Sequence, residues 1–170
     1  MPEILDSGAR RTFESGAVRD IQENKGRCDL LPLDVTATVL GMYLSSGPVC
    51  YPTDEVTEFI YQYVVNGDVG NLYTAIAKFI TREGMHPCTA ILELAKHYEE
   101  GSRKYQERNW EKGIPLHCYI DSGVRHYLKH LRGDKDEPHN RAFLWNMFGA
   151  IWTHIHKPEF IDLPFKERQQ

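Results

Sequence analysis

Apolar residues recur at helical spacing through most of this chain, and almost nowhere alternate as a half-buried strand requires. Val56, Phe59, Ile60 and Tyr63 fall three and four apart behind Thr53-Asp54-Glu55. That spacing predicts a helix capped by Thr53, with acids in its first turn, ended by Asn66-Gly67-Asp68. Leu72, Ile76, Phe79 and Ile80 predict a second helix over residues 69–83, with Gly84 behind it. Three longer helices are predicted over roughly 88–106, 115–132 and 136–156. Pro115 opens the second of these and Gly133 closes it; the third starts at Asp136-Glu137-Pro138 and stops before Lys157-Pro158. A weaker apolar run covers 35–44 and is broken by GPVCYP at 47–52. No strand hairpin is evident. The predicted fold class is all-α, one domain made of an N-terminal arm (1–34), an inserted helical segment (35–88), a helical-bundle core (89–156) and a loose C-terminal tail (157–170).

The long helices carry the candidate chemistry. Glu93, His97, Glu100 and Lys104 lie at i, i+4, i+7 and i+11, which puts them on one stripe, with Ile91, Ala95, Tyr98 and Tyr105 roughly opposite. Two carboxylates and an imidazole in line can hold a divalent metal; the plainer reading is a solvated face with supporting ion pairs. On the next helix Ile120, Val124, Tyr127 and Leu131 make a core face flanked by Asp121, Arg125 and Arg132, while His126 and His130 point away from it. Arg125 is a candidate phosphate donor or half of an Asp121–Arg125 salt bridge. The His126/His130 pair lacks a third ligand at zinc spacing. The last long helix is apolar around nearly its whole circumference and is therefore expected to be buried. His139 and Asn146 interrupt it on one stripe, and each needs a hydrogen-bond partner there. Before it, Asp134, Asp136 and Glu137 can serve the helix dipole or collect Mg²⁺.

Composition narrows the class. With 170 residues, 41% of them hydrophobic, the chain can bury a real core, and its net charge of −4 gives no general reason to bind nucleic acid. It has no run of membrane-spanning length and no signal-peptide pattern at its start, so a cytoplasmic protein is expected. Cys28, Cys50, Cys88 and Cys118 show no CxxC spacing, which predicts reduced, mostly buried thiols.

Three blocks of sequence, FESGAVRDIQENKGRCDLLPLD (13–34), LELAKHYEEGSRKYQERNWEKGIP (92–115) and YIDSGVRHYLKHLRGDKDEPHNRAFLWN (119–146), resemble the phage dATP/dGTP diphosphohydrolase N-terminal domain family. The resemblance covers about 13–34 and 92–153 and rests on GAVRD, KGRCDLLP, KYQERNW, RHYLKHLRGDKDEPH and WN taken together. It implies a MazG-like helical bundle in a host-cell cytoplasm, forming homo-oligomers, that hydrolyses dATP or dGTP to monophosphate and pyrophosphate. Relatives of that kind hold Mg²⁺ through an ExxE…ExxD set; this chain has His139 and Asn146, and no ExxD, on its last long helix.

On that resemblance, Glu93, His97 and Glu100 are candidate catalytic residues, and Glu93, Glu100, Asp121 and Glu137 candidate ligands for Mg²⁺ or Mn²⁺. Lys25, Arg27, Lys104, Arg108, Arg125, His126, His139 and Asn146 are candidate nucleotide-binding residues. Trp110 is a candidate base-stacking platform and Asn109 a candidate reader of a purine edge. The competing reading uses the same cations without a metal: a non-catalytic phage protein that sequesters a nucleotide or cyclic-nucleotide signal. In both the partner is a purine nucleotide, with no nucleic acid and no membrane.

Overall fold

A computed structural model describes residues 9–20, 28, 31, 36 and 53–165. The chain divides into two compact units, Met1–Asp29 with Pro87–Asp162, and Leu30–His86 with Leu163–Gln170. It is predominantly helical, as the spacing predicts. Among the described residues no helix is long and apolar enough to cross a membrane. The apolar run at 35–44, apart from Thr36, lies outside the described residues, as does GPVCYP.

The smaller unit contains α1 (Glu55–Asn66) packed on α2 (Gly70–Arg82). The cap of α1 is Asp54, not Thr53: its carboxylate accepts from the Thr57 N–H at 2.9 Å and the Thr57 hydroxyl at 2.8 Å. Arg82 reaches the other Asp54 oxygen at 2.5 Å, so one buried carboxylate ties the start of α1 to the end of α2. An acid satisfies both tasks, helix capping and charge pairing, and a threonine only the first. Val56, Ile60 and Tyr63 face Leu72, Ala75, Ile76 and Phe79 in the buried layer. Phe165 meets Tyr63 edge-on at 5.5 Å, so this part of the tail is a packed element and not a loose peg.

The larger unit is built on α3 (Pro87–Tyr105), α4 (Leu116–Arg132) and α5 (His139–His156), with α5 packed against both others. The stretch read as an arm contains, among the described residues, the one departure from an all-α reading, an antiparallel hairpin of β1 (Arg10–Thr12) and β2 (Val18–Asp20), in register Arg10 to Asp20 and Thr12 to Val18. Three residues per strand are too few to produce a visible alternation, which is why spacing misses them. The hairpin is held from outside. The side chain of Asn109 accepts from the Val18 N–H at 3.1 Å and donates to the Val18 carbonyl at 3.0 Å. Lys104 and Tyr105, at the end of α3, both reach the Asp20 carboxylate at 2.8 Å.

At the start of α4 the His117 N–H donates to Asp162 at 3.0 Å, and the His117 ring pairs with the same carboxylate. Hydrogen bonding to Asp162 is the main reason His117 is raised to about 10 from its ordinary 6.5. Burial works to raise Asp162, but the bonds from His117 outweigh it and the group lies below its ordinary 3.8. A raised histidine stabilises the fold fully below pH 6.5 and loses that contribution as pH climbs to about 10. Asp162→Asn is therefore expected to lower the melting temperature most between pH 3.8 and 6.5, with the difference from wild type shrinking toward pH 10. Both side chains are part-exposed, so the effect is at most about 1 kcal/mol. Melting curves across that range check it, and a pH-independent difference sinks it.

A polar interior between β2, α3, α4 and α5

The stripe on α3 faces inward. His97 is buried and Glu93 and Glu100 are half-buried, whereas Ile91 and Leu92 are exposed, at 53% and 67%. This inverts the solvated-face reading of that stripe. The cause is on α5, where Arg141, only 5% exposed, donates to Glu100 at 3.1 Å and lies 3.8 Å from Glu93. A buried guanidinium needs carboxylates, and α3 turns its acids toward it. Burial first, and the Arg141 charge second, hold His97 down to about 4. His97 is thus neutral at physiological pH, and its Nδ1 is buried without a hydrogen-bond partner among the described residues.

β2 contributes a second cation. The Arg19 guanidinium carbon lies 5.3 Å from the Tyr119 ring centre and 5.4 Å from that of Trp145, a cation–π position against both. Its Nη2 donates to Asn146 Oδ1 at 2.9 Å, and the Asn146 amide donates in turn to the Ala142 carbonyl at 2.8 Å. Arg19 as a residue is part-exposed, yet its Nη1 is buried and has no hydrogen-bond partner among the described residues. Close approach makes room for the ring: a Cβ on Gly149 would stand 2.3 Å from Tyr119.

α4 supplies Asp121, Arg125 and His126. Asp121 is fully buried; it pairs with Arg125 one turn on and accepts from the Cys28 N–H at 2.5 Å. His126 does not point away from the core. Its Nδ1 lies 3.0 Å from His139 Nδ1, and Glu137 Oε1 is 3.5 Å from the first and 3.6 Å from the second. The other ring nitrogen of His139 meets Asp136 at 2.7 Å, and Asp136 also accepts from Lys129 at 2.9 Å. Burial, followed by the charges of His139, Arg125, His97 and Arg19, lowers His126 well below its ordinary value. Among the described residues, two groups of three ligand-bearing side chains have donor atoms within 4.8 Å of one another: His126–Glu137–His139 and Asp134–Asp136–His139.

The remaining candidates are placed as follows. Lys25 and Arg27 lie outside the described residues. Lys104 is on Asp20, Arg125 on Asp121, and Arg108 is an exposed partner of Glu111. Asn109 spends its donor and its acceptor on Val18. Trp110 meets Trp152 edge-on at 4.8 Å and Tyr98 at 5.7 Å, so its ring is packed in an aromatic cluster. Of the thiols, Cys118 is buried and Cys88 exposed. Of the candidate carboxylates, Glu93 stands with Lys96 and 3.8 Å from Arg141, Glu100 with Arg141 and Asp121 with Arg125, and not with Glu137.

Sequence reasoning missed Arg19 and Arg141. Arg141 had a signal: it is the one charged residue between Pro138 and His154 on an otherwise apolar helix. Arg19 had a weaker one, its place inside GAVRD.

Comparison with curated proteins and with solved structures finds no match. A family model described as dATP/dGTP diphosphohydrolase, N-terminal, matches residues 76–163, just over half of the chain. The match contains α3, α4 and α5 and so every element that builds this interior except the hairpin. The 13–34 block lies outside it, while residues 76–91, about which the resemblance said little, lie inside. The chain belongs to the dATP/dGTP diphosphohydrolase N-terminal family.

Proposed function

We propose that the protein hydrolyses purine deoxynucleoside triphosphates, dATP or dGTP, to the monophosphate and pyrophosphate, and that the interior between β2 and the three long helices is where it does so. The supporting observation is Arg19: a guanidinium with a buried N–H that no group among the described residues satisfies, in a region lined by Arg125, Arg141 and three histidines. An unsatisfied buried donor on a cation is costly, and a phosphate oxygen removes the cost. Membership of the family supplies the nucleotide.

In the reaction a water oxygen bonds to phosphorus at the α–β anhydride, the bond to the bridging oxygen breaks, pyrophosphate leaves, and the water's proton passes to a base. Glu93 and Glu100 are the proton acceptors nearest Arg141. Arg19 and Arg141 stabilise charge on the phosphoryl oxygens as the bridging bond breaks. Tyr119 and Trp145 keep the Arg19 end away from water, which strengthens its pull on an anion. A divalent metal supplies charge neutralisation and a more acidic water in such reactions. The residues present fit one through nitrogen and oxygen donors at His126, Glu137 and His139, whereas Glu93 is paired with Lys96, Glu100 with Arg141 and Asp121 with Arg125.

The test is a panel of four deoxynucleoside triphosphates with Mg²⁺ or Mn²⁺, reading pyrophosphate and monophosphate. Turnover of dATP or dGTP is expected, falling about 10²-fold or more in kcat/KM in Arg19→Gln. No turnover with any triphosphate, together with tight nucleotide binding in EDTA, overturns the enzyme and leaves the sequestering protein in its place.

A further inference from the structure

We propose that His126, Glu137 and His139 form a binding site for one divalent transition-metal ion of the Zn²⁺, Co²⁺ and Mn²⁺ class, with Asp136 as the residue that orients His139. The inference rests on the proposed function in naming the class of ion at this site, but metal uptake is read without any nucleotide, so its failure and that of hydrolysis are distinguishable.

The three donor atoms are 3.0, 3.5 and 3.6 Å from one another. Ligands bound to one ion at about 2.0–2.1 Å sit roughly 3.0–3.4 Å apart in octahedral or tetrahedral arrangements. One of the three observed distances lies in that range and the other two exceed it by about 0.1–0.2 Å, a gap that small side-chain shifts on ion binding close. Two imidazole nitrogens facing each other can also share a single proton, but that hydrogen bond gives no reason for a carboxylate oxygen equidistant from both.

The surroundings fix the tautomer the metal requires. His139 directs Nε2 at the Asp136 carboxylate at 2.7 Å, so the proton belongs on Nε2 and the Nδ1 lone pair faces His126 and Glu137. A carboxylate behind a histidine is the usual outer partner of a metal-ligating imidazole. Lys129 holds Asp136 in turn, at 2.9 Å. The same bonds decide against the neighbouring Asp134–Asp136–His139 group, since Arg132 takes Asp134, Lys129 takes Asp136, and the Asp136 side chain is 42% exposed. Two nitrogens and one oxygen favour borderline transition ions over Mg²⁺, which prefers oxygen throughout. Three protein ligands leave a further position open, as catalytic and not structural sites do.

The experiment uses chelator-stripped protein titrated with Co²⁺ alone, read by visible d–d absorption, with far-ultraviolet circular dichroism confirming the fold of each variant. Wild type is expected to take up one Co²⁺ per chain. Glu137→Gln, which keeps shape and polarity, and His126→Ala are expected to lose the band, and His130→Ala, one turn along the same helix, to keep it. Asp136→Asn is expected to weaken binding about 10- to 100-fold without changing stoichiometry. The proposal is overturned if wild type shows no band, if the band survives unchanged in both Glu137→Gln and His126→Ala, or if equimolar Mg²⁺ displaces the Co²⁺.

Discussion

Arg141→Met is expected to destabilise the protein by about 3 kcal/mol, because it takes its arginine from the half-buried Glu100 carboxylate, while Glu93 keeps Lys96. Arg141 is 5% exposed, and it is the group to which Glu100 turns at 3.1 Å. The second Glu100 oxygen is already buried with no hydrogen-bond partner among the described residues, so none of them is at hand to absorb the charge. Methionine preserves most of the volume, which separates the charge from the packing. Adding Glu100→Gln to Arg141→Met is expected to recover 1–2 kcal/mol, roughly the burial cost of the orphaned carboxylate. His97 provides a second readout. Burial remains in the variant but the Arg141 charge is gone, so its pKa should rise from about 4 toward 6.5, visible in the ring-proton shifts by NMR. A loss below about 1 kcal/mol, or an unmoved His97, would show that the α3 stripe faces inward for some other reason.

Gly113→Ala is the other large effect, at about 3 kcal/mol or more, since two separate penalties fall on one residue. Gly113 closes the 3-10 turn Asn109–Lys112 at φ 105°, a region that residues with a Cβ avoid. Forcing alanine there costs on the order of 1–3 kcal/mol. The new methyl would also stand 2.3 Å from the Phe160 ring, and overpacking of that kind typically costs about 1–3 kcal/mol more. The two separate in the double variant: with Phe160→Ala the steric part vanishes and the backbone part stays. Denaturant unfolding of wild type, both single variants and the double variant measures this; additive losses would show that the ring is not what the methyl strikes.

Helix positions were legible from the chain because each long helix carries its own periodic face and its own stop signal. Predicted bounds of 115–132 compare with Leu116–Arg132 and 88–106 with Pro87–Tyr105. The third long helix starts at His139 and not at Asp136, because Asp136 and Glu137 turn their carboxylates to His139 and His126. What spacing cannot supply is which face of a polar helix is inside. Ile91 and Ala95 read as the core side of α3, yet Arg141, forty residues away in sequence, decides that Glu93, His97 and Glu100 are. His126 is the same lesson on α4: its partners are Glu137 and His139, and periodicity within α4 holds no trace of them. Asn109 reads as a side chain with a donor and an acceptor to offer a base, and it does offer both, to main chain.

That last contact has a consequence for how the molecule avoids its own copies. In the β1–β2 hairpin the Val18 N–H and C=O point away from β1, along an open strand edge. Such an edge is a template on which a strand from another chain can add. The Asn109 side-chain amide presents the same donor and acceptor a neighbouring strand would and occupies the place, so the two-stranded sheet has at this position no free rung for a third.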